Sequence, residues 1–348
     1  YEIRNCDWSS DVCSSDLAQM SFSSFGSGVG SSGRSTAPTL EVRLTRNGIT
    51  ESVHRVHAVV CDQQGRVLMR AGDPQQLSFM RSALKPFQAQ VFVSSGAADQ
   101  GNHDERALAI ACASHAGEPG QAREAFKILW KSDIETEQLQ CPTPAGRQSP
   151  LEHNCSGKHA AFLATCKRMQ WPMESYMQLD HPLQQQVLRR VGKLLGMPGA
   201  ELVTARDDCG VPTLQLQLAQ MALLFAHLGA GGEPELERLS RAMLAHPDLV
   251  AGEGRFDTAV MRSGHGQVLS KGGAEGIQCL SRVGEGLGLA IKVEDGASRA
   301  KRAVALHLMR QLEWLTPSTL EELGQQFLEP NPGVQLEVSG ELRFDNGR

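Results

Sequence analysis

The spacing of apolar residues along the chain predicts strands towards both ends and helices between them. Residues 55–62 are rich in Val and Ala, residues 63–66 are typical of a turn, and residues 67–70 can return as the second strand of a β-hairpin. In the long middle region, apolar residues recur at intervals close to the period of an α-helix. The predicted helices cover residues 83–94, 104–114, 121–131, 158–168, 182–195, 213–228 and 234–245.

The last part of the chain returns to strand patterns. Residues 287–294 are apolar enough for a buried strand, residues 298–315 predict a long helix capped by Ser298, and residues 335–343 predict a final strand. An early hairpin, a helical middle and late strands together indicate an α+β fold. We expect one sheet built from both chain ends, with a helical region inserted between its strands and with α/β/α-like layers.

The first 38 residues do not fit this pattern. Residues 1–17 contain a near-repeat of Ser-Ser-Asp that resembles a translated sequencing adapter. Residues 21–38 are rich in Gly and Ser and lack the apolar stretch of a signal peptide, so they predict a disordered segment. We therefore expect residues 1–38 to be artefactual or disordered, the natural start to be Met20, and residues 39–348 to form the functional domain.

Composition and charge limit the possible partners. The chain has 348 residues, of which 41% are hydrophobic, so it can bury one large core or two ordinary ones. A net charge of -5 gives no basic surface for nucleic acid, and no apolar run approaches the ~20 residues of a membrane helix. Nine cysteines, an odd number without regular spacing, favour reduced thiols over disulfides. These features predict a cytoplasmic protein that binds neither nucleic acid nor membrane.

A serine and a lysine three residues apart form the first candidate for catalysis. In the segment Arg-Ser-Ala-Leu-Lys-Pro, Ser82 and Lys85 share one face of a helix, so a neutral Lys85 can take the proton of the Ser82 hydroxyl. The lysine must then lose its own proton readily, through burial, a neighbouring cation or a helix N-terminus. Pro86 is tolerated only in the first helical turn. The same spacing at Ser298 and Lys301 is interpreted as a helix cap and a solvated face.

Two further segments extend this pattern in an order known from other serine enzymes. Serine β-lactamases and penicillin-binding proteins carry Ser-x-x-Lys, then a second serine on a loop, then Lys-[Thr/Ser]-Gly on an edge strand. Here Ser114 and Lys271 follow in that order, although neither Thr nor Ser follows Lys271. Gly272 and Gly273 lie in a glycine-dense stretch whose backbone amides can approach a ligand closely and supply oxyanion donors.

The densest group of reactive side chains is the segment His-Asn-Cys-Ser-Gly-Lys-His, residues 153–159. Cys155 and Lys158 are three residues apart at the start of a predicted helix, and Gly157 permits a close backbone approach. Residues 207–212, Asp-Asp-Cys-Gly-Val-Pro, form a second cluster of the same character. Two thiols, a carboxylate and an amine that converge from separate loops predict a metal site or a substrate pocket.

Five segments, in their order along the chain, closely resemble the Rhizobium-type L-asparaginases. They are Arg-Ser-Ala-Leu-Lys-Pro-Phe-Gln at 81–88, Ser-His-Ala-Gly-Glu at 114–118, His-Asn-Cys-Ser-Gly-Lys-His at 153–159, Asp-Asp-Cys-Gly-Val-Pro-Thr at 207–213 and Lys-Gly-Gly-Ala-Glu-Gly at 271–276. The resemblance extends from about Thr39 to near the end of the chain. It implies a homodimeric hydrolase of the serine β-lactamase-like fold that converts L-asparagine to L-aspartate and ammonia.

The resemblance also implies roles in catalysis. Two Ser-Lys pairs would form a tandem, Ser82 with Lys85 and Ser114 with Lys271. Ser82 would be the nucleophile, and Ser114 would relay protons between the two lysines. Repulsion between the two amines would help to keep one of them neutral.

A zinc site is implied by the same resemblance, with three ligands: Cys155, Lys158 and Cys209. A lysine must lose its proton before it coordinates a metal. Asp207 and His159 would hold the charged ends of the substrate or a metal-bound water. Arg81 is expected to bind the substrate carboxylate through a bidentate pair. Gly272 and Gly273 are expected to line the substrate site.

Other function classes stay open at this point. Another serine amidohydrolase of β-lactamase-like fold would use the same residues. A zinc deaminase needs His-x-Glu followed by Pro-Cys-x-x-Cys, a pair that the sequence lacks. A noncatalytic zinc-binding relative needs four protein ligands in a closed shell, and the sequence offers three.

Overall fold

Strands from both ends of the chain pair in one antiparallel sheet, as the apolar pattern predicts. The computed structural model describes residues 37–329 and 331–345, so the predicted non-globular segment lies outside the described residues except for residues 37–38. The strands in these ranges are β1 (Leu40–Arg46), β2 (Ile49–Asp62), β3 (Val67–Ala71), β4 (Leu77–Phe79), β5 (Val203–Arg206), β6 (Pro212–Gln217), β7 (Val268–Gly272), β8 (Ile277–Arg282), β9 (Leu287–Val293), β10 (Val334–Ser339) and β11 (Arg343–Phe344).

Most helices lie between the early and the late strands, also as predicted. The helices in the described ranges are α1 (Lys85–Ser94), α2 (Ala97–Gln100), α3 (Glu105–Ala111), α4 (Pro119–Lys131), α5 (Ser156–Met169), α6 (Pro182–Leu195), α7 (Leu218–Ala230), α8 (Pro234–Ala245), α9 (Pro247–Val250), α10 (Phe256–Ser263), α11 (Ser298–Gln311) and α12 (Pro317–Phe327). None of these helices is long and apolar enough to cross a membrane.

The large sheet is built around β2. Among the described residues it has eight strands, with the order β10-β1-β2-β9-β8-β7, and β3 pairs with both β2 and β11. All of these pairs are antiparallel, and the predicted hairpin is confirmed by the pairing of Ala58 with Ala71 and of Val60 with Met69. The sheet therefore joins residues from the first and the last part of the chain, which makes the fold a mixed α/β fold.

Neighbouring residues of β2 belong to two different hydrophobic cores. Val59 and Cys61 pack in the core that contains the helical middle region, including α1, α5 and α7. Ala58 and Val60 pack in a second core with α11 and α12. Because side chains alternate between the two faces of a strand, helices cover both faces of the sheet. This arrangement confirms the expected α/β/α-like layers.

A small second sheet was not predicted. Strands β4, β6 and β5 pair in that order, and β6 occupies the start of the stretch 213–228 that the helical pattern assigns to one helix. That assignment is wrong for residues 213–217, where Leu214 and Leu216 are buried and alternate with polar residues at the period of a strand. Helix α7 begins only at Leu218, after a capping box between Gln217 and Gln220.

Two predicted helix starts differ in detail from the structure. The residue that caps α11 is Ala297, and Ser298 is the first residue of the helix, so the predicted Ser298 cap is wrong. The helix predicted at 83–94 begins with a 3-10 turn, Arg81–Leu84, and continues as α1 with Pro86 in its first turn. Proline is tolerated there because its missing N–H is not needed in the first turn. The Ser-x-x-Lys segment consequently spans the start of this helix.

Candidate active site

Ser82 lies in the 3-10 turn before α1, and its side chain is half-buried. The preceding residue, Arg81, has a φ of 50°, a backbone conformation that costs a non-glycine residue about 1–3 kcal/mol. The Arg81 N–H donates to Thr213 Oγ1 at 3.1 Å, which anchors the turn to β6. Among the described residues, no side-chain hydrogen bond reaches Ser82 Oγ. The turn thus presents a hydroxyl without a partner at the start of a buried helix.

Lys85 points into the interior, where three acceptors surround its amine. Lys85 Nζ donates to the carbonyl oxygens of Ala113 at 2.6 Å and of Asn154 at 3.2 Å. It also donates to Ser114 Oγ at 2.9 Å. Three acceptors match the three N–H bonds of an ammonium group. The structure therefore brings Lys85 and Ser114 together. No hydrogen bond between Lys85 and Ser82 is among those of the described residues, so the predicted Ser82–Lys85 pair stays a prediction.

Lys271 reaches the same hydroxyl from the large sheet. It lies in β7, is fully buried, and its Nζ donates to Ser114 Oγ at 2.9 Å and to the Gly272 carbonyl at 3.1 Å. Burial lowers the pKa of Lys271 to about 7, with repulsion from Lys85 and Lys301 acting in the same direction and Asp257 opposing it. A substantial fraction of the Lys271 amine is therefore neutral at physiological pH and able to accept a proton.

The predicted thiol cluster also forms. Cys155 immediately precedes α5, Lys158 lies in its first turn, and Cys209 comes from the loop between β5 and β6. Lys158 Nζ lies 3.1 Å from Cys209 Sγ. Gly157 packs so closely against the carbonyl group of Ile110 that any side chain would collide with it, so the predicted close backbone approach is confirmed. The start of α5 thereby carries two members of the cluster to the position of the third.

The charges within this cluster favour one thiolate and one ammonium group. A hydrogen bond from Cys209 outweighs burial and holds the pKa of Cys155 well below its ordinary value. The same hydrogen bond, together with burial, raises the pKa of Cys209. Burial alone would lower the pKa of Lys158, but the negative charge on the sulfurs outweighs it and raises that pKa. The protonated Lys158 amine thus occupies a place of strong negative potential.

His159 follows Lys158 and has one ring nitrogen without a partner. Its Nδ1 lies 2.6 Å from the Tyr176 hydroxyl, which accepts a hydrogen bond from the Gln140 N–H at 3.1 Å. The hydroxyl then donates its proton to Nδ1, which leaves the hydrogen of the neutral ring on Nε2. Burial lowers the pKa of His159 well below its ordinary value. Nε2 is buried and has no hydrogen-bond partner among the described residues, so it is an unused donor beside the thiol cluster.

Arg81 and Asp207, both predicted to bind the substrate, contact each other. Arg81 Nε donates to Asp207 Oδ1 at 2.7 Å, and Arg81 Nη2 donates to Asp208 Oδ2. The Arg81 and Asp207 side chains are 17% and 12% exposed, so solvent screens their pair only partly. Burial opposes the charged form of Arg81, but the two carboxylates outweigh it and raise its pKa. Each residue must change partners, at least in part, to bind a substrate group.

Gly272 and Gly273 form the turn after Lys271, but their amides already have partners. The Gly272 N–H donates to Asp257 Oδ2 at 2.8 Å, and the Gly273 N–H donates to the Ile277 carbonyl at 2.9 Å. Neither of these two amides is free to serve as an oxyanion donor in the structure, and the expectation that the glycine-dense stretch supplies such donors stays a prediction. The placement of the two glycines in the substrate site stays a prediction.

Lys301 corrects another interpretation of the sequence. It does not lie on a solvated face: its side chain is buried, and Nζ donates to the carbonyl groups of Gly273 at 2.6 Å and Ile277 at 3.0 Å. Ala297 lies four residues before Lys301, and Val304 and Ala305 lie three and four residues after it, so Lys301 shares a helix face with apolar residues. This apolar face could have identified Lys301 as buried.

Asp257, Asn154 and His115 complete the site. Asp257 lies outside the five segments, and Asn154 and His115 lie inside two of them without a role assigned from the sequence. Asp257 binds the turn after Lys271. Asn154 links the Ser-Lys pair to the thiol cluster, because its carbonyl accepts from Lys85 and its Oδ1 lies 3.1 Å from Cys155 Sγ. His115 Nε2 lies 2.9 Å from Ser156 Oγ, and burial lowers the pKa of His115 to about 3. A neutral His115 therefore holds the loop that carries Ser114 against α5.

The sequence profile of the L-asparaginase II family matches residues 42–344. The chain belongs to the L-asparaginase II family. In this family member, all of the site residues described above lie inside the matched range. The suspected resemblance to L-asparaginases is thereby confirmed, and it covers both ends of the large sheet as well as the helical middle region.

Solved structures give a much weaker likeness. One described as "Crystal Structure Analysis of Mglu in its native form" is 13% identical, with a TM-score of 0.38, and covers 74% of this chain and 64% of that chain. Another, "Crystal Structure Analysis of Mglu in its tris and glutamate form", is 14% identical with a TM-score of 0.34, and covers 75% of this chain and 60% of that chain. A likeness of this size decides neither the fold nor the function. No curated protein matches the chain in sequence.

Proposed function

We propose that this protein is an L-asparaginase, which hydrolyses the side-chain amide of L-asparagine to L-aspartate and ammonia through a Ser-Lys nucleophile. Membership in the L-asparaginase II family supports an amidohydrolase of this type. The observation that carries the proposal is the position of Ser114 Oγ, which lies 2.9 Å from the amines of both Lys85 and Lys271. A hydroxyl held between two amines provides a path for protons beside the proposed nucleophile, Ser82.

In the first step, Ser82 Oγ attacks the carbonyl carbon of the side-chain amide. The hydroxyl proton passes to a lysine amine, the C–N bond breaks, and the leaving nitrogen takes up a proton and departs as ammonia. Lys271 is suited to hold the transferred proton because its pKa lies at about 7. Ser114 relays the proton between Lys271 and Lys85, which follows Ser82 by one helical turn.

In the second step, water hydrolyses the ester between Ser82 and the aspartyl group. The same amine that accepted the serine proton now accepts a proton from the attacking water. It returns a proton to Ser82 Oγ as the ester C–O bond breaks. L-aspartate leaves, and the Ser-Lys tandem regains its starting protonation.

Substrate recognition falls to the charged groups around Ser82. Arg81 suits the α-carboxylate because a guanidinium binds a carboxylate through two parallel hydrogen bonds. Asp207 suits the α-ammonium group, so a bound substrate would take up both partners of the existing ion pair. The unused Nε2 donor of His159 offers a further polar contact at the site. Gly272 and Gly273 would line the site through their lack of side chains.

The donor atoms of Cys155, Lys158 and Cys209 suit a zinc ion. Cysteine thiolates are common zinc ligands, a lysine amine is an unusual one, and three protein ligands leave one position of a tetrahedron open. In the described ranges, no cluster of three or more His, Cys, Asp or Glu side chains could hold a metal, and the proposed set contains only two such residues. Zinc would supply a fixed positive charge that organises the pocket. Because the pKa of Lys158 is raised, the metal has to displace its proton.

The same proposal includes expectations about the fold family, the cellular compartment and the oligomeric state. The antiparallel sheet with helices on both faces, and a Ser-x-x-Lys segment at a helix start, support a serine β-lactamase-like fold for residues 39–348. Seven free, buried cysteines in the described ranges support the reducing environment of the cytoplasm. A homodimer is expected from the family resemblance.

Ammonia release from L-asparagine tests the proposed function. We expect purified protein to release ammonia from L-asparagine, and Ser82→Ala to abolish that release while the far-ultraviolet circular dichroism stays unchanged. Ser298→Ala is the matched control, because Ser298 is exposed and has a lysine at the same spacing. Wild-type turnover in Ser82→Ala would reject the nucleophile. Hydrolysis of other amides, without that of L-asparagine, would indicate another serine amidohydrolase.

A further inference from the structure

A half-buried carboxylate holds the turn that follows Lys271. Asp257, in α10, accepts hydrogen bonds from the Gly272 N–H at 2.8 Å and from Ser270 Oγ at 2.7 Å. It also accepts from Gln278 Nε2 at 2.8 Å, and that nitrogen lies 2.9 Å from Ser270 Oγ. Three donors from two adjacent strands therefore converge on one carboxylate directly behind Lys271.

A buried lysine holds the same turn from another direction. Lys301, in α11, donates to the carbonyl groups of Gly273 and Ile277 at 2.6 and 3.0 Å. A side chain at Gly272 would lie 3.1 Å from Lys301 Nζ and 3.4 Å from Asp257 Oδ2. Gln278 Oε1, at 3.0 Å, and Lys301 Nζ would crowd such a side chain, whereas Asp257 would lie at ordinary contact distance.

The charges that act on the Lys271 amine come from four parts of the fold. Asp257 in α10 and Cys155 before α5 favour the charged amine, whereas Lys85 in α1 and Lys301 in α11 oppose it. On the neighbouring strand, Cys279 pairs with Lys271 in the sheet, and burial raises the pKa of its thiol, so it adds no charge. Of these groups, Asp257 and Lys301 also bind the backbone next to Lys271.

We propose that Asp257 and Lys301 are opposed positioning residues for Lys271: an anion and a cation that bind the Gly272–Gly273 turn beside it from two different helices. Asp257 retains the proton on Lys271 and Lys301 expels it, so the balance sets how much free base is present at neutral pH. This inference rests on the proposed role of Lys271 in amide hydrolysis. A purely structural support would hold the turn but would leave the titration of the amine unchanged.

The first experiment compares pH profiles of kcat/KM for L-asparagine. Asp257→Asn keeps the shape of the side chain and removes its charge, so the acid limb should move down by ~1 pH unit. Lys301→Met should move it up by a similar amount, and Lys301→Arg, which keeps the charge, should restore the wild-type position. Glu253→Gln and Lys193→Met are the controls, since these side chains are 76% and 70% exposed.

The second experiment does not depend on activity. The full chain is labelled with ¹³C-lysine, Lys271→Met identifies the Lys271 signal, and that signal is titrated in wild type, Asp257→Asn and Lys301→Met. Shifts of the titration midpoint in opposite directions support the inference. They do so even if the protein releases no ammonia, because that result would reject only the proposed function. Unchanged midpoints, or shifts in one common direction, overturn it while leaving asparaginase activity intact. If Asp257→Asn does not fold, the comparison of Lys301→Met with Lys301→Arg still decides, because arginine keeps the positive charge and the N–H donors that methionine removes.

Discussion

Lys85 and Lys271 share one hydroxyl: the amine of each lies 2.9 Å from Ser114 Oγ. Lys85 comes from the first helix and Lys271 from a strand near the other end of the chain. Two buried amines at one hydroxyl repel each other when both are charged, which favours the neutral form of one of them. Burial is the largest cause of the pKa of about 7 at Lys271, and repulsion from Lys85 lowers that pKa further.

Removal of the shared hydroxyl should interrupt proton transfer. Ser114→Ala is expected to lower kcat for L-asparagine at least ~100-fold, the usual scale for the loss of acid-base catalysis. Loss of the hydroxyl leaves an N–H of each buried amine without its acceptor, so the free energy of unfolding should also fall by ~1–3 kcal/mol, and kcat is measured at a temperature where the variant is folded. Ser94→Ala, at a half-buried serine at the end of α1, is the control. A turnover equal to wild type would remove Ser114 from the proton path.

Lys271 should make stability depend on pH. Its pKa falls from an ordinary value of 10.5 to about 7 in the folded state, so the unfolded chain binds more protons between these two values. The free energy of unfolding should therefore rise with pH across this window and lose the contribution of Lys271 at lower pH. Lys271→Met should be more stable than wild type at pH 7 by ~2–4 kcal/mol, and the difference should shrink towards pH 10.

Urea unfolding of both proteins at several pH values measures this difference. Lys193→Met serves as the control, because Lys193 is 70% exposed and should show no such trend. A stability gap between Lys271→Met and wild type that does not change from pH 7 to pH 10 would mean that Lys271 titrates like an ordinary lysine.

Arg81→Lys should affect substrate affinity most. A lysine cannot form the planar pair with a carboxylate, and it cannot hold Asp207 and Asp208 at the same time. We expect KM for L-asparagine to rise about tenfold, with a smaller change in kcat. Arg206→Lys, at an exposed arginine beside the same loop, should leave both constants unchanged. A fall in kcat alone would show instead that Arg81 positions Ser82 through its strained backbone.

Zinc content should depend on Cys155. Wild type and Cys166→Ala, a change at a buried cysteine further along α5, should each bind about one zinc ion per chain, and Cys155→Ala should bind much less. Binding should release protons and weaken below neutral pH, because Lys158 and the thiols must be deprotonated. We expect Cys155→Ala to raise KM more than it lowers kcat, since the metal would organise the pocket.

Mass spectrometry of the purified variants, together with steady-state kinetics before and after a chelator, makes this measurement. Equal zinc content in wild type and Cys155→Ala would reject the ligand assignment. A collapse of kcat with an unchanged KM would reject the organising role of the metal.

Local patterns were sufficient for most helices and for the reactive segments. The helices at 182–195 and 234–245 have the predicted bounds, because their apolar residues recur at the helical period and proline marks each start. The position of Ser82 and Lys85 at the start of a helix followed from their spacing and from Pro86. Each of these features depends on residues within one or two helical turns, so the sequence contains all of the information that they require.

Contacts between distant segments were decided only by the tertiary structure. The sequence placed Ser114 and Lys271 in order, but only the packing of the sheet against the helices brings both lysines to one hydroxyl. Residues 213–217 form a strand because β4 and β5 are available as partners, which local apolar spacing does not report. Asp257 and Lys301 have the appearance of surface residues in the sequence. The fold places both charged groups beside the same turn and excludes water from them, which strengthens their effect on Lys271. That packing depends on the whole fold and not on local sequence.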